Sequence, residues 1–492
     1  MKKYTNSFIC LVLLILLISV REIFSAKTLF IIYTSTLIFY LIIEVALARV
    51  RDKTNYLLDP AVLASLFTFI LSFGITNYIF INEDSFFGDQ LFDRLGTEAF
   101  KYLADAMPLV IIGAIAMWVG NHSILGYKLY QLLTSSIINV KKYIRQSLEF
   151  NYGLILSLFI LSVLARIIAI YLGVFGFTQG DESVNAYSGL EWSLNLIGEA
   201  GKLSLLILSL TYFNPTENKR YKLTFIIIFI IELLLGILSG MKANIMLPFL
   251  IITFSYYLIN KRIKKSYVLF FIAAVFVAYA IVEPFRILKK IDPHFESTPS
   301  YILKSFVEAY TLSKEFNLKN PDLSESIFVS ALMRSNYVIE IAKVKEYDDK
   351  VGLQYDDPDF KYNLFTFPIQ AILPRILWSD KPIQSLGNWY TRNVWGWDSE
   401  SFTAMTPFGF LYFAGGIPYI IIFLFIIGIM QNALFRFIKL GSGGIIIYVG
   451  LLSTVVLIDS TVNGIFIYWL RLFPIFLVLQ YFIFKNNLPG KS

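Results

Sequence analysis

The side chains of this 492-residue chain best placed to do chemistry are ionisable groups set inside or beside long apolar runs. A charge at the centre of a lipid-spanning helix costs roughly 2.5–3.5 kcal/mol on insertion scales, so each one needs a compensating role. The embedded or boundary charges are Arg166, Glu232, Lys242, Glu283, Arg286, Asp459 and Arg471. One further run carries Glu191, Asn195, Glu199 and Lys202. At about 100° per residue these four fall within roughly 80° of arc, a stripe that must face other helices or a water-filled cavity. Two readings stand: a Glu199–Lys202 pair that locks helix packing, or a polar cavity.

Two short stretches stand out beside the apolar runs. In "GILSGMKAN", Gly236 to Asn244, Gly236 and Gly240 have the small-xxx-small spacing that lets helices approach closely. Lys242 follows at a turn where the next helix starts. Helix-terminal amides and Lys242 together suit an anion; alternatively the lysine reaches up to lipid headgroups. In "PRILWSDKP", Pro374 and Pro382 bracket Arg375, Trp378, Asp380 and Lys381 in a compact, charged turn. The simplest use of such a turn is interfacial, with Trp378 and Lys381 as anchors.

The elements that must position these residues are membrane helices. The chain is 57% hydrophobic and 16% charged, against about 45–50% and 25% in soluble domains. Runs of about 20 apolar residues predict an all-α polytopic membrane protein. Twelve spans are expected, near 5–20, 28–48, 60–81, 103–120, 152–175, 191–213, 222–239, 243–260, 267–283, 406–435, 444–459 and 463–484. The first lacks a clean small-x-small cleavage site and leads into further spans, so it reads as an uncleaved helix.

With the N-terminus inside, twenty lysines and arginines fall in the inner segments. Only five (Arg21, Lys27, Arg94, Lys101 and Lys242) fall in the short outer loops. That bias puts both termini in the cytoplasm. It also accounts for the net charge of +7 without a nucleic-acid partner. The single cysteine, Cys10, excludes an intrachain disulfide. With only His122 and His294, no zinc site is expected, and no other metal or cofactor is assigned, although carboxylate-bound magnesium or calcium stays open.

On this topology residues 1–283 carry the first nine spans, 284–405 form one large external segment, and 406–492 carry the last three. The external segment is no bare linker. Ile302, Phe306 and Tyr310 recur at helical spacing, as do Phe328, Ala331, Leu332, Val338, Ile339 and Ala342. Asp322 or Ser324 is expected to cap the second helix. These amphipathic helices should lie on the membrane surface or against the outer ends of the spans. Most embedded charges fall in the outer half of their span or at its rim, with Arg471 and the Glu199–Lys202 pair deeper. Glu44, near an inner end, reads as interfacial. Charges of both signs beneath one outer segment suggest an outward-facing polar cavity; scattered ion pairs are the alternative.

Here the residues resemble a known family. "PRILWSDKP" resembles the proline-arginine, tryptophan and lysine-proline signature of Wzy-type oligosaccharide repeat unit (O-antigen) polymerases. "LSGMKAN" is similar to that family's small-Gly-x-Arg turn, with Lys242 where arginine is usual. "TPFGFLYFAGGIPYIIIF" resembles the helix that re-enters the membrane after the outer loop. The resemblance implies a glycosyltransferase of surface-polysaccharide (O-antigen, capsule or exopolysaccharide) biosynthesis at the outer face of the bacterial cytoplasmic membrane. A glycan on undecaprenyl diphosphate would be transferred to a hydroxyl of an incoming lipid-linked repeat unit. The partners implied are the undecaprenyl-diphosphate-linked oligosaccharide, membrane lipids, a chain-length regulator and a flippase.

Under that resemblance, cations stabilise the charge growing on the diphosphate leaving group. The candidates are Arg375, Arg286, Arg166, Arg471, Lys242 and Lys381, with Arg375 catalytic because a guanidinium fork suits phosphate. Trp378 would sit at the interface or stack on sugar. A general base would come from Glu283, Asp380, Asp398, Glu400 or His294, with Glu283 favoured beside Pro284 and Arg286. Trp389, Tyr390, Trp395 and Trp397 would form either sugar platforms or an interfacial belt. Two rivals remain: an O-antigen ligase-like or other lipid-linked glycosyltransferase, and a lipid-linked oligosaccharide flippase. The flippase should show inverted repeats, and none is visible.

Overall fold

The computed structural model describes residues 4–81, 86–135, 143–145, 149–176, 193–214, 221–291, 335–352, 360–373, 386–397, 405–458 and 462–485, with isolated positions 190, 304, 308, 311 and 378. Along 283–290 it describes the backbone without the side chains. The apolar runs are helices, and no strand occurs among the described residues. In chain order they are α1 Thr5–Ser19, α2 Ala26–Arg51, α3 Pro60–Phe80, α4 Phe86–Leu95, α5 Ala99–His122, α6 Ile124–Ser135, α7 Tyr152–Tyr171, α8 Ser193–Phe213 and α9 Lys222–Leu238. Then follow α10 Lys242–Asn260, α11 Lys265–Ile291, α12 Val338–Val351, α13 Phe360–Ile372, α14 Pro407–Gly415, α15 Ile417–Phe437, α16 Ser442–Val456 and α17 Val462–Ile483.

By length and composition, eight described helices can cross a membrane: α2, α3, α5, α7, α8, α10, α15 and α17. Three expected spans are shorter apolar helices: α1, α16 and the Lys265–Ala278 part of α11. α1 and α16 have 15 residues each. At about 1.5 Å per residue that is less than the ~30 Å hydrocarbon layer. α9 has 17 residues. The expected tenth span is two helices. α14 starts at Pro407, with the Thr406 hydroxyl accepting from the Gly409 amide, and ends at Gly416, whose φ of +71° only glycine adopts freely.

The helices form two compact units, one from residues 1–147 with 332–492, the other from 148–331. In the first unit α5 and α15 pack almost backbone to backbone. A Cβ on Gly120 would lie 2.1 Å from the Phe425 carbonyl, and one on Gly428 would lie 1.9 Å from the Met117 carbonyl. Glycine is therefore required on both helices. α12 joins this core instead of floating on a membrane surface: Val338, Ile339, Ile341, Ala342 and Val344 are all buried.

The start of α12 is fixed by Asn336. Its Oδ1 accepts from the amides of Val338 and Ile339 at 3.0 and 3.3 Å, and its Nδ2 donates to Asn77 and Thr76 at 2.8 and 3.1 Å. The expected caps Asp322 and Ser324, and the expected helix around Ile302–Tyr310, lie largely outside the described residues. In the second unit, Ala165, Ala169 and Ile170 of α7 pack with Leu194 of α8, and Ile245 of α10 packs with Ala278 and Val282 of α11.

Candidate functional site

In the second unit four helices bring polar groups together. Arg166 of α7 places Nη1 at 3.0 and 2.9 Å from the two carboxylate oxygens of Glu232 on α9, and Nη2 donates to the Gly198 carbonyl. Ser162 donates to the same carbonyl at 2.6 Å. That carbonyl is offered where α8 changes pitch at Glu199. The Lys202 amide, which a regular helix would give to Gly198, donates to Glu199 at 3.1 Å. Arg166 and Glu232 are 6% and 2% exposed, so the pair is fully desolvated. Removing one partner of such a pair typically costs about 3–5 kcal/mol.

The deeper stripe ends beside this pair. Lys202 Nζ lies 2.6 Å from Glu199 Oε1 and 3.0 Å from Asn244 Oδ1, which ties α8 to the first turn of α10. Asn244 in turn donates to Ser239 at 3.1 Å, and Ser239 donates to the Gly236 carbonyl at 2.6 Å. The two glycines of "GILSGMKAN" have different jobs. A Cβ on Gly236 would lie 2.5 Å from the Asn244 carbonyl, whereas Gly240 supplies a turn at φ +60°. Lys242 is the first residue of α10, half-buried. Both expected features, an ion pair at Glu199–Lys202 and a helix beginning at Lys242, are present. Glu199 and Asn195 are exposed, and an exposed carboxylate needs water in place of lipid. Glu191 lies outside the described residues, and Glu283 and Arg286 lie on α11 where the backbone alone is described.

In the first unit Arg471 of α17 is half-buried, and its Nη2 donates to the Gln370 carbonyl of α13 at 3.4 Å. Gln370 is fully buried, and its Nε2 donates to Thr366 at 2.7 Å. Thr366 spends its only hydroxyl hydrogen on the Tyr362 carbonyl at 2.6 Å, so it can only accept from Gln370. The amide orientation is thereby set, and Gln370 Oε1 is left buried without a donor among the described residues. Trp378 is half-buried; Arg375, Asp380 and Lys381, with Pro374 and Pro382, lie outside the described residues, as do His294, Asp398, Glu400 and Asp459.

The four aromatics read as a belt or a platform separate into different roles. Tyr390 is fully buried and Trp395 is 7% exposed. Both belong to the turn around the π-helical segment Tyr390–Val394 and meet Glu340: Trp395 Nε1 donates to Oε2 at 3.0 Å, and the Tyr390 hydroxyl lies 2.8 Å from the Glu340 carbonyl and 2.9 Å from Oε2. Trp389 packs against Tyr347, Phe360 and Phe413. Only Trp397 is exposed, at 45%, and its ring stacks on Trp395 at 4.7 Å. Burial pushes the Glu340 carboxyl above the ordinary glutamate range, and the Tyr390 and Trp395 donors offset part of that.

Three features were not read as site residues from the sequence. Glu340 hides in an apolar helical stretch, and its two donors are 50 and 55 residues away. Gln370 carries no charge to mark it. Glu44, expected at the interface, is fully buried. Its Oε2 lies 3.2 Å from His122 Nε2, and Asn6 donates to Oε1 at 2.9 Å. Arg51 lies 3.1 Å from His122 Nδ1. A guanidinium can only donate, so Nδ1 must accept and Nε2–H must point to Glu44. A signal was present: Glu44 shares the buried face of α2 with Leu37, Tyr40, Leu41 and Ala48.

Comparison of the chain with protein-family models, with curated proteins and with solved structures gives no match.

Proposed function

We propose that this protein polymerises oligosaccharide repeat units carried on undecaprenyl diphosphate, at the outer face of a bacterial cytoplasmic membrane it crosses twelve times with both termini inside. The observation that carries this reading is the polar group in the second unit. There the exposed Glu199 pairs with the mostly buried Lys202 beside the turn where Lys242 starts α10. A helix N-terminus that begins at a lysine is suited to a phosphate group, and Lys202, paired with Glu199, ties α8 to that turn. The buried Arg166–Glu232 pair holds the helices that frame it.

In this scheme, which rests on the resemblance, Arg375 bears on the diphosphate as the glycosidic bond breaks, and Arg286, Arg471, Lys242 and Lys381 are the further cations it implies for phosphate. Arg166 acts by positioning, since its guanidinium is engaged by Glu232 and Gly198. Glu283 serves as the base for the acceptor hydroxyl. The twelve crossings require α1, α9, α11 and α16 to span together with the eight longer helices.

The test is reconstitution. Purified protein in lipid, given lipid-linked repeat units and no nucleotide sugar, should yield a ladder of polymer and release undecaprenyl diphosphate. A strict requirement for nucleotide sugar would overturn the reading. Deletion in the producing strain separates the rivals: polymer collapsed to single repeats fits a polymerase, and full-length polymer left unattached to its final acceptor fits a ligase.

A further inference from the structure

We infer that His122 is a proton-operated latch between the ends of α2 and α5. With Nδ1 bare it holds Arg51; with Nδ1 protonated it releases Arg51 and tightens on Glu44. Every contact needed lies in the first unit. The His122 side chain is 3% exposed and that of Glu44 is 0% exposed. Nε2 lies 3.2 Å from Glu44 Oε2, and Nδ1 lies 3.1 Å from Arg51 Nη1. A guanidinium has hydrogens and no acceptor, so it fixes the neutral tautomer with the one ring hydrogen on Nε2.

This arrangement has two settings. A proton taken from solvent goes to the bare nitrogen, so that N–H faces N–H across the Arg51 contact and two cations meet. The two groups differ in freedom to move. The imidazole is buried and held at its other nitrogen, whereas Arg51 is exposed and is the last residue of α2. Arg51 Nε also donates to the Leu47 carbonyl at 3.2 Å on its own helix, and the guanidinium can turn from the ring into water. At Nε2 the same proton converts a neutral hydrogen bond to Glu44 into an ion pair, roughly twice as strong.

The groups around the ring fit this exchange. Glu44 also accepts from Asn6 of α1 at 2.9 Å, and Tyr40 and Cys10 are within its electrostatic reach. Asp59, in the turn before α3, is within electrostatic reach of both Arg51 and His122, and it accepts from the Ala61 amide at 2.9 Å. Tyr4 of α1 donates to the His122 carbonyl at 3.3 Å, away from the ring nitrogens. On α5 the neighbour is Trp118, 5.3 Å between ring centroids. From α15, Asn432 donates to the Asn121 carbonyl at 2.6 Å, and Arg436 behind it is held by Asn432 Oδ1 at 2.9 Å. A positive imidazole thus brings His122, Arg51, Glu44 and Asp59 to charge balance. The latch does not depend on the polymerase reading.

The test uses full-length protein in detergent with its two histidines, His122 and His294, labelled with nitrogen-15. The signal that remains in His294→Gln is that of His122. At about pH 8.5 it should show a bare Nδ1 and a protonated Nε2, and at about pH 5 both nitrogens protonated, reversibly. Melting temperatures read the latch itself. Arg51→Met should lower the melting temperature by roughly 2 °C or more at the higher pH, and should leave it unchanged or raised at the lower pH, where Arg51 is already out. Glu44→Gln should do the reverse and cost more at the lower pH. In a His122→Gln background, Arg51→Met should act equally at both. An Arg51→Met effect that does not change with pH in otherwise wild-type protein overturns the latch. So does a His122 whose Nδ1 is protonated at the higher pH or still bare at the lower one. Where the Glu44 or His122 variant fails to fold, the His122 spectrum and Arg51→Met decide.

Discussion

Arg166 grips both carboxylate oxygens of Glu232 at 2.9 and 3.0 Å across 66 residues of sequence, and the grip is possible because residue 201 is glycine. A Cβ there would lie 2.1 Å from Glu232 Oε1 and 2.7 Å from Ser162 Oγ. Gly201→Ala should therefore displace the pair and lower the melting temperature in detergent. Glu232→Ala should cost about 3–5 kcal/mol by leaving a buried guanidinium unpaired, whereas a paired Arg166→Met, Glu232→Leu replacement should be much milder. Equal melting of Glu232→Ala and the double variant would show the pair to be weakly coupled.

Arg375 carries the sharpest functional expectation. Arg375→Ala should lower polymerisation by about 10²–10³ while leaving membrane insertion intact, the usual loss for one donor aimed at developing charge. Arg375→Lys should restore activity only in part, since a point charge cannot reproduce a two-pronged contact. Lys381→Ala should be milder and Trp378→Phe tolerated. Wild-type polymer from well-expressed Arg375→Ala would return the "PRILWSDKP" turn to an interfacial role and move the search to Lys242, Arg286 and the α8 stripe.

Orientation is open to thiol labelling with little background, because the only native cysteine, Cys10, is buried. Cysteines placed at Ser297 and Asp357 should react with a membrane-impermeant reagent in outer-membrane-permeabilised cells. One at Lys264 should react only after the inner membrane is opened. Labelling at Lys264 in sealed cells would invert the topology and remove the external site.

Two carboxyls of α12 should give opposite pH limbs. Glu340 is raised by burial among Tyr390 and Trp395, with Lys343 and Arg94 as the nearby cations. The fold favours its proton, so its contribution is full below the ordinary glutamate value (~4.3) and is lost as pH rises through the raised value. Asp349 is lowered by hydrogen bonding to Lys101, so its contribution is present at neutral pH and lost as pH falls. Melting profiles against pH should lose the upper limb in Glu340→Gln and the lower one in Asp349→Asn. Superimposable profiles of wild type and both variants would refute the assignment.

Membrane class was legible in the sequence because span-forming hydrophobicity is a local property: a run of apolar residues needs no partner to declare itself. Helical phase was legible for the same reason, and it put Glu199 and Lys202 on one face of α8, where they pair at 2.6 Å. The glycines of "GILSGMKAN" were legible as a close approach, though only the backbone showed that Gly240 makes a turn. Partners were not legible. Glu44 looked interfacial by its place along the chain, yet it is buried against His122, 78 residues on. Arg166 looked like a phosphate ligand by its charge, yet it is held by Glu232. Tyr390 and Trp395 read as part of a sugar platform or an interfacial belt, yet they close on Glu340. The reason is physical. Periodicity fixes which face of a helix a side chain occupies, but the group opposite it depends on how distant helices settle in register, and that is decided only when the whole chain packs.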